Sequence, residues 1–238
     1  MGITLSTTAE GSVRRSSAVR TIVGVSVETV AGVAWESKRA RIGQAHVAPL
    51  NSLVLEWRSA DLARQVPWFD PDDGGTGARV LVLMETPGPG TVRAGGSGFC
   101  SEDNPDGTAR TFRALRAAAG LARRDYVRWN VVPWAVHDAT GAWTAPTAVD
   151  LEDARPALAQ LLGALPELRL VVVMGQRALA GYTRHATLSV PVLTVPVLAT
   201  PHPSQRNTHA RAEALLRIGN ALGCAAELCR SGGATTGV

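Results

Sequence analysis

The chain has 238 residues, with 45% hydrophobic and 18% charged, enough for one domain with a full core. Its net charge of +4 rests almost wholly on arginine, since Lys38 is the only lysine; this suits a nucleic-acid partner, and compositional bias explains it equally well. Three cysteines, Cys100, Cys224 and Cys229, form no CxxC, which argues against a disulfide framework or a four-thiolate cluster, and no stretch is as long as a membrane span.

These features lead to the expectation of a reduced, cytoplasmic, monomeric protein with no membrane association. Arg14, Arg15 and Arg20 precede an apolar run resembling a leader, but Glu28 interrupts it and no A-x-A site follows. Residues 1–45 are rich in Ser, Thr, Val and Gly without helical periodicity, and read as an N-terminal extension. A disordered segment, a mistranslated start and a loose hairpin all fit them. The domain is expected over 46–230, with 231–238 as a flexible tail.

From Ala48 the pattern changes. "PLNSLVLEWRSADLARQ" puts Leu50, Leu53, Val54, Trp57 and Leu62 on one helical face, and "VPWFDPDDGG" then reads as an ordered loop. "ARVLVLM" (78–84) is a continuous apolar run, as in a buried parallel strand. A helix is predicted over 108–121 and a strand over 126–132. A second helix follows over 151–165, where Pro156 is tolerable only near the first turn. "LRLVVVM" (168–174) is the third strand, and "QRALAGYTRH" the helix after it. "VPVLAT" (195–200) is the fourth strand, and 208–222 the closing helix. This alternation predicts an α/β fold: a three-layer α/β/α sandwich around a central four-stranded, mostly parallel sheet.

In such a sheet, ligands sit beyond the carboxyl ends of the strands. Glu85 follows the first strand and precedes Thr86-Pro87-Gly88-Pro89-Gly90, a stiff turn poor in side chains that a ligand can approach closely. A carboxylate there can orient a water, or it can be an ordinary surface Glu. Asn130 falls inside the apolar second strand, where an unpartnered amide would cost about 1–3 kcal/mol. It either bonds a neighbouring loop or reads a donor and an acceptor on a base edge.

Phe99, in the glycine-rich "AGGSGFCSEDNPDG", either packs locally or stacks on a planar ligand. His202 stands between Pro201 and Pro203 in "ATPHPSQRN", which holds an imidazole N–H where it can stabilise a developing anion. Ser204, Arg206, Asn207 and Thr208 then either hold a phosphate or cap the last helix. The turn after the first strand lacks GxxxxGK[ST], "GGSGF" is not G-x-S-x-G, and the five histidines include no HxxxH pair, so no metal is expected.

Together, "METPGPG", "WNVVPW" and "HPSQRN" resemble the first motif, the asparagine-bearing strand and the second motif of the uracil-DNA glycosylase superfamily, over about residues 48–225. The resemblance implies a cofactor-free glycosylase that flips uracil or another deaminated base out of DNA in base excision repair. It implies that His202 donates to O2 of the departing base and that Asn130 reads O4 and N3–H. Phe99 would stack on the ring, and Glu85 would position the attacking water. Thr86, Pro87 and Gly88 would form the base-side turn, and Ser204, Gln205 and Arg206 would meet the DNA. Thr86 stands where the family carries Asp or Asn, Gly88 where one branch carries a bulky residue, and the cysteines do not match the iron–sulfur branch.

Overall fold

The computed structural model describes residues 34–189, 195–204 and 210–231. Among these residues the central sheet has four strands, all parallel: β2 (Val80–Met84), β4 (Tyr126–Asn130), β5 (Leu170–Met174) and β6 (Val197–Thr200). Their spatial order is β4-β2-β5-β6. Every residue of β2, β4 and β5 is buried, as expected when helices cover both faces of a parallel sheet.

The pleat sends alternate residues to opposite layers. Leu81 and Leu83 join the core under α2 (Ala48–Ala60), α6 (Arg155–Gly163) and α7 (Gln176–Leu188). Val80, Val82 and Met84 face the other core, under α4 (Gly107–Ala118) and α8 (Arg211–Ser231). The expected three-layer α/β/α architecture is therefore present. Val82 lies abreast of Arg128 and Met84 abreast of Asn130, so both polar residues of β4 share the α4–α8 face.

Several elements differ from the sequence expectation. The helix expected over 151–165 is two, α5 (Ala148–Asp153) and α6, because Pro156 has no N–H to continue the first and instead sits in the first turn of the second. Leu62 is 92% exposed, since α2 stops at Ala60 and Asp61 turns extended before Leu62 can join the buried stripe. The closing helix runs nine residues past 222, burying Ala225, Ala226 and Cys229.

Inside the loops, β1 (Trp68–Phe69) pairs in parallel with β3 (Phe99–Cys100). Phe69 stacks on Trp129, with ring centroids 3.5 Å apart, which attaches this small sheet to the large one.

Residues 34–45, assigned by composition to an extension, are packed on the domain. The described part of α1, 34–39, buries Lys38 to 4% exposure between β1 and the segment after β3. Residues 1–33 and 232–238 lie outside the described residues.

Candidate active site

At the carboxyl end of the sheet, Met84 and Asn130 end β2 and β4 side by side, and Thr200 ends β6 abreast of Met174. Two short-range signals start helices above this edge. Extended Gly88 leads into Pro89, which opens the four-residue α3 (Pro89–Val92). Asp106 caps α4 by accepting the Ala109 N–H at 2.9 Å. Between these loops, the sheet edge and the segment after β6 lies a cavity of about 380 Å³. Asn130, Arg128 and Cys100 line it from the strands, Asp106 from the α4 cap, and His202 and Ser204 from the segment after β6.

His202 is held from three directions. Pro201 and Pro203 restrict the backbone on both sides. The Ser204 backbone N–H donates to Nδ1 at 3.1 Å, so the proton of the neutral ring resides on Nε2. From below, Gly175 has φ +101° and donates its N–H to the Thr200 carbonyl at 2.9 Å. A Cβ added there would stand 3.2 Å from His202 Cβ, so the turn after β5 admits the histidine only because residue 175 has no side chain.

The wall on the β4 side is polar and buried. Asn130 is 5% exposed, and its Nδ2 has a weak contact of 3.9 Å to Cys100 Sγ. Burial pushes the Cys100 thiol up to about 11, which keeps it neutral near pH 7. Arg128 donates Nη2 to the Ser101 carbonyl, and its Nε has no hydrogen-bond partner among the described residues. Burial opposes its charge, but Cys100, Tyr126 and Asp73 outweigh that and raise its pKa. Asn104 ties the cavity wall together, giving Nδ2 to Thr91 Oγ1 at 3.2 Å and to the Phe99 carbonyl at 3.0 Å.

Of the residues singled out in the sequence, Thr86, Pro87, Gly88, Asn130, His202 and Ser204 meet at this one cavity. Glu85 does not line it; the residue is half-buried at the end of β2, and its carbonyl accepts the Val132 N–H. Phe99 is placed differently from the expected stacking role. Consecutive strand residues point opposite ways, so with Cys100 on the cavity Phe99 turns away. Its ring is wholly buried, 6.1 Å from Trp35 in a stacked pair. Gln205 and Arg206 lie outside the described residues.

Sequence reasoning missed Arg128, Asn104 and Asp106. Arg128 carried a usable signal, a charge two residues before Asn130 in an apolar strand. Asp106 carried another, an N-cap residue type two positions before the predicted helix.

The model of the uracil DNA glycosylase superfamily matches residues 71–222. The chain belongs to that superfamily. Among solved structures, it is similar to wild-type SMUG2 from Pedobacter heparinus at 13% identity and a TM-score of 0.47, over 64% of this chain and 76% of that one. No curated protein matches.

In this superfamily member the matched region begins at Pro71, yet residues before it help build the site. Lys38 Nζ reaches Asp70 at 2.5 Å, Asp103 at 2.8 Å and Asp72 at 2.9 Å. Arg123 adds contacts to Asp70, Asp73 and Asp103. The oxygens of Asp70, Asp72 and Asp103 lie close enough together to hold a metal ion, but the Lys38 ammonium already fills that role. Through Asp103 and its neighbour Asn104, the network fixes the segment between β3 and α4 that forms one cavity wall.

Proposed function

We propose that this superfamily member hydrolyses the N-glycosidic bond of uracil, or of another deaminated base, extruded from DNA, the excision step of base repair. The observation that carries the reading is His202, pinned as an Nε2–H tautomer in the same cavity as Asn130.

As the bond to C1′ breaks, its electron pair stays with the base, and the His202 Nε2–H donates to the charge growing at O2. Asn130 offers one donor and one acceptor, the complement of O4 and N3–H of uracil; cytosine presents the opposite pair and is rejected. Thr86, Pro87 and Gly88 form a wall poor in side chains beside the ring, and Ser204 at the cavity rim would meet a flanking phosphate, a role the resemblance extends to Gln205 and Arg206. Water then bonds to C1′ and gives its proton to a carboxylate. Glu85 follows from the resemblance, while Asp106 is the carboxylate that lines the cavity.

The test is to incubate the full chain with oligonucleotides bearing uracil, hypoxanthine, xanthine or a T:G mismatch and to quantify abasic sites. Loss of one oxyanion donor costs ~10²–10³-fold, so His202→Ala should fall by that factor, and Asn130→Asp should shift preference toward cytosine. Glu85→Gln and Asp106→Asn, measured side by side, identify the water-handling carboxylate. A second reading, base binding without hydrolysis, is favoured by the position of Glu85 off the cavity wall. DNA binding with no abasic product from any of the four substrates would establish it over the first.

A further inference from the structure

Beside the active-site cavity lies a second hollow of about 210 Å³, lined by Arg58, Arg64, Gln65, Val66, Val92 and Gly98. It sits directly across the loop after β2: Thr91 lines the cavity and the next residue, Val92, lines the hollow. Consecutive Cα atoms are ~3.8 Å apart, so the two sites are separated by one thickness of backbone.

Its two cations are unusually prepared. Arg58 Nε donates to the Val66 carbonyl at 2.9 Å, Nη2 donates to the same oxygen, and the guanidinium lies 4.0 Å from the Trp68 ring centre. Nη1 has no hydrogen bond or ion pair among the described residues. Arg64 lies 3.7 Å from the ring centre of Trp134 and makes one loose contact, 3.4 Å, to Asp61. No carboxylate among the described residues pairs with Arg58, and burial lowers its pKa with no acidic group opposing the shift. Stacking on indole fixes the plane of a guanidinium without cancelling its charge. Elsewhere the chain neutralises its half-buried arginines, as Arg123 and Arg116 show.

We propose that this hollow is a binding site for a backbone phosphate of the DNA strand flanking the extruded nucleotide, held by Arg58 and Arg64 on the side of the cavity opposite His202 and Ser204. The proposal rests on the DNA-directed reading above. A preformed pair of oriented guanidiniums, Arg58 with no carboxylate partner among the described residues and Arg64 only loosely paired with Asp61, suits a phosphodiester, whose oxygens accept in the plane of the fork. A strand gripped on both sides of the cavity is held as the base between the grips turns inward.

The experiment measures equilibrium binding of the full chain to a uracil-containing oligonucleotide across a series of KCl concentrations. Each lost phosphate contact removes ~0.9 from the slope of log K against log salt on duplex, or ~0.7 on single strand. Arg58→Gln/Arg64→Gln should lower the slope by one such step or more and weaken binding several-fold at low salt. Arg58→Lys, which keeps the charge, should hold the slope even if losing the Trp68 stack lowers stability. Excision with the double variant should show a raised KM and an unchanged kcat. A double variant with the wild-type unfolding midpoint and the wild-type slope overturns the phosphate site, whether or not the wild type excises uracil. Wild-type binding without abasic product removes the glycosylase reading and leaves the slope comparison decisive, while no DNA binding at low salt overturns both.

Discussion

Replacing Gly175 by alanine should damage the site through one added carbon. The residue has φ +101° and ψ 158°, a backbone region essentially closed to other residues, with a cost of about 1–3 kcal/mol when one is forced there. The new Cβ would also stand 3.2 Å from His202 Cβ, too close by a few tenths of an ångström. His202 has little room to yield, because two prolines flank it and the Ser204 N–H pins its ring. Strain and displacement therefore act together: a loss of about 1–3 kcal/mol in urea unfolding, and a fall of roughly tenfold or more in kcat as the Nε2–H leaves its alignment. Gly219→Ala is the matched control, since that helical position in α8 has open space around a Cβ and should gain about 0.5–1 kcal/mol. Gly175→Ala with unchanged stability and unchanged excision would refute the claim that this glycine exists to admit His202.

Two further perturbations probe the buried charges. Lys38→Met removes the most buried cation shared by Asp70, Asp72 and Asp103, leaving Arg123 to serve all three, and should cost about 3–5 kcal/mol, with much of it recovered in Lys38→Met/Asp70→Asn; a loss below about 1 kcal/mol in denaturant unfolding would show that 34–45 is not integral to the domain. Burial, then the charge of Asp70, pushes Asp73 up from 3.8 to about 8, with Arg123 opposing. The folded state thus keeps a proton that the unfolded chain releases above about pH 4. This group makes stability fall as pH rises from about 4 to about 8, by at most ~1.4 kcal/mol per unit, and adds no slope beyond. Asp73→Asn should flatten that decline in a pH series of unfolding midpoints, and an identical pH profile would contradict the assignment.

Much of the fold was legible because local pattern encodes it. A continuous apolar run marked β2 as a strand buried on both faces, and all four predicted strands are strands of the sheet, although β6 at its edge is largely exposed. The motifs at their ends were legible for the same reason: strand ends of a parallel sheet converge, so Asn130 and His202 had to approach one cavity. Pro156 was readable as a constraint, but whether it would start the predicted helix or divide it depended on the preceding Thr147–Asp150 capping box, which began a helix of its own.

The sequence alone determined the four strands of the sheet, the main helices and which strand ends carry chemistry, since periodicity and turn residues act over a few positions. Only the tertiary structure decided which side chains share a void. Phe99 turned from the cavity because β3 paired with β1 and left it facing Trp35, more than sixty residues earlier in the chain. Arg128 entered the wall because its register with Val82 placed it on the α4 face. Lys38, in a segment without periodicity, became the counter-charge for three carboxylates gathered from distant loops. Such convergence depends on packing between layers and on buried charges finding partners, interactions that no local window of sequence contains.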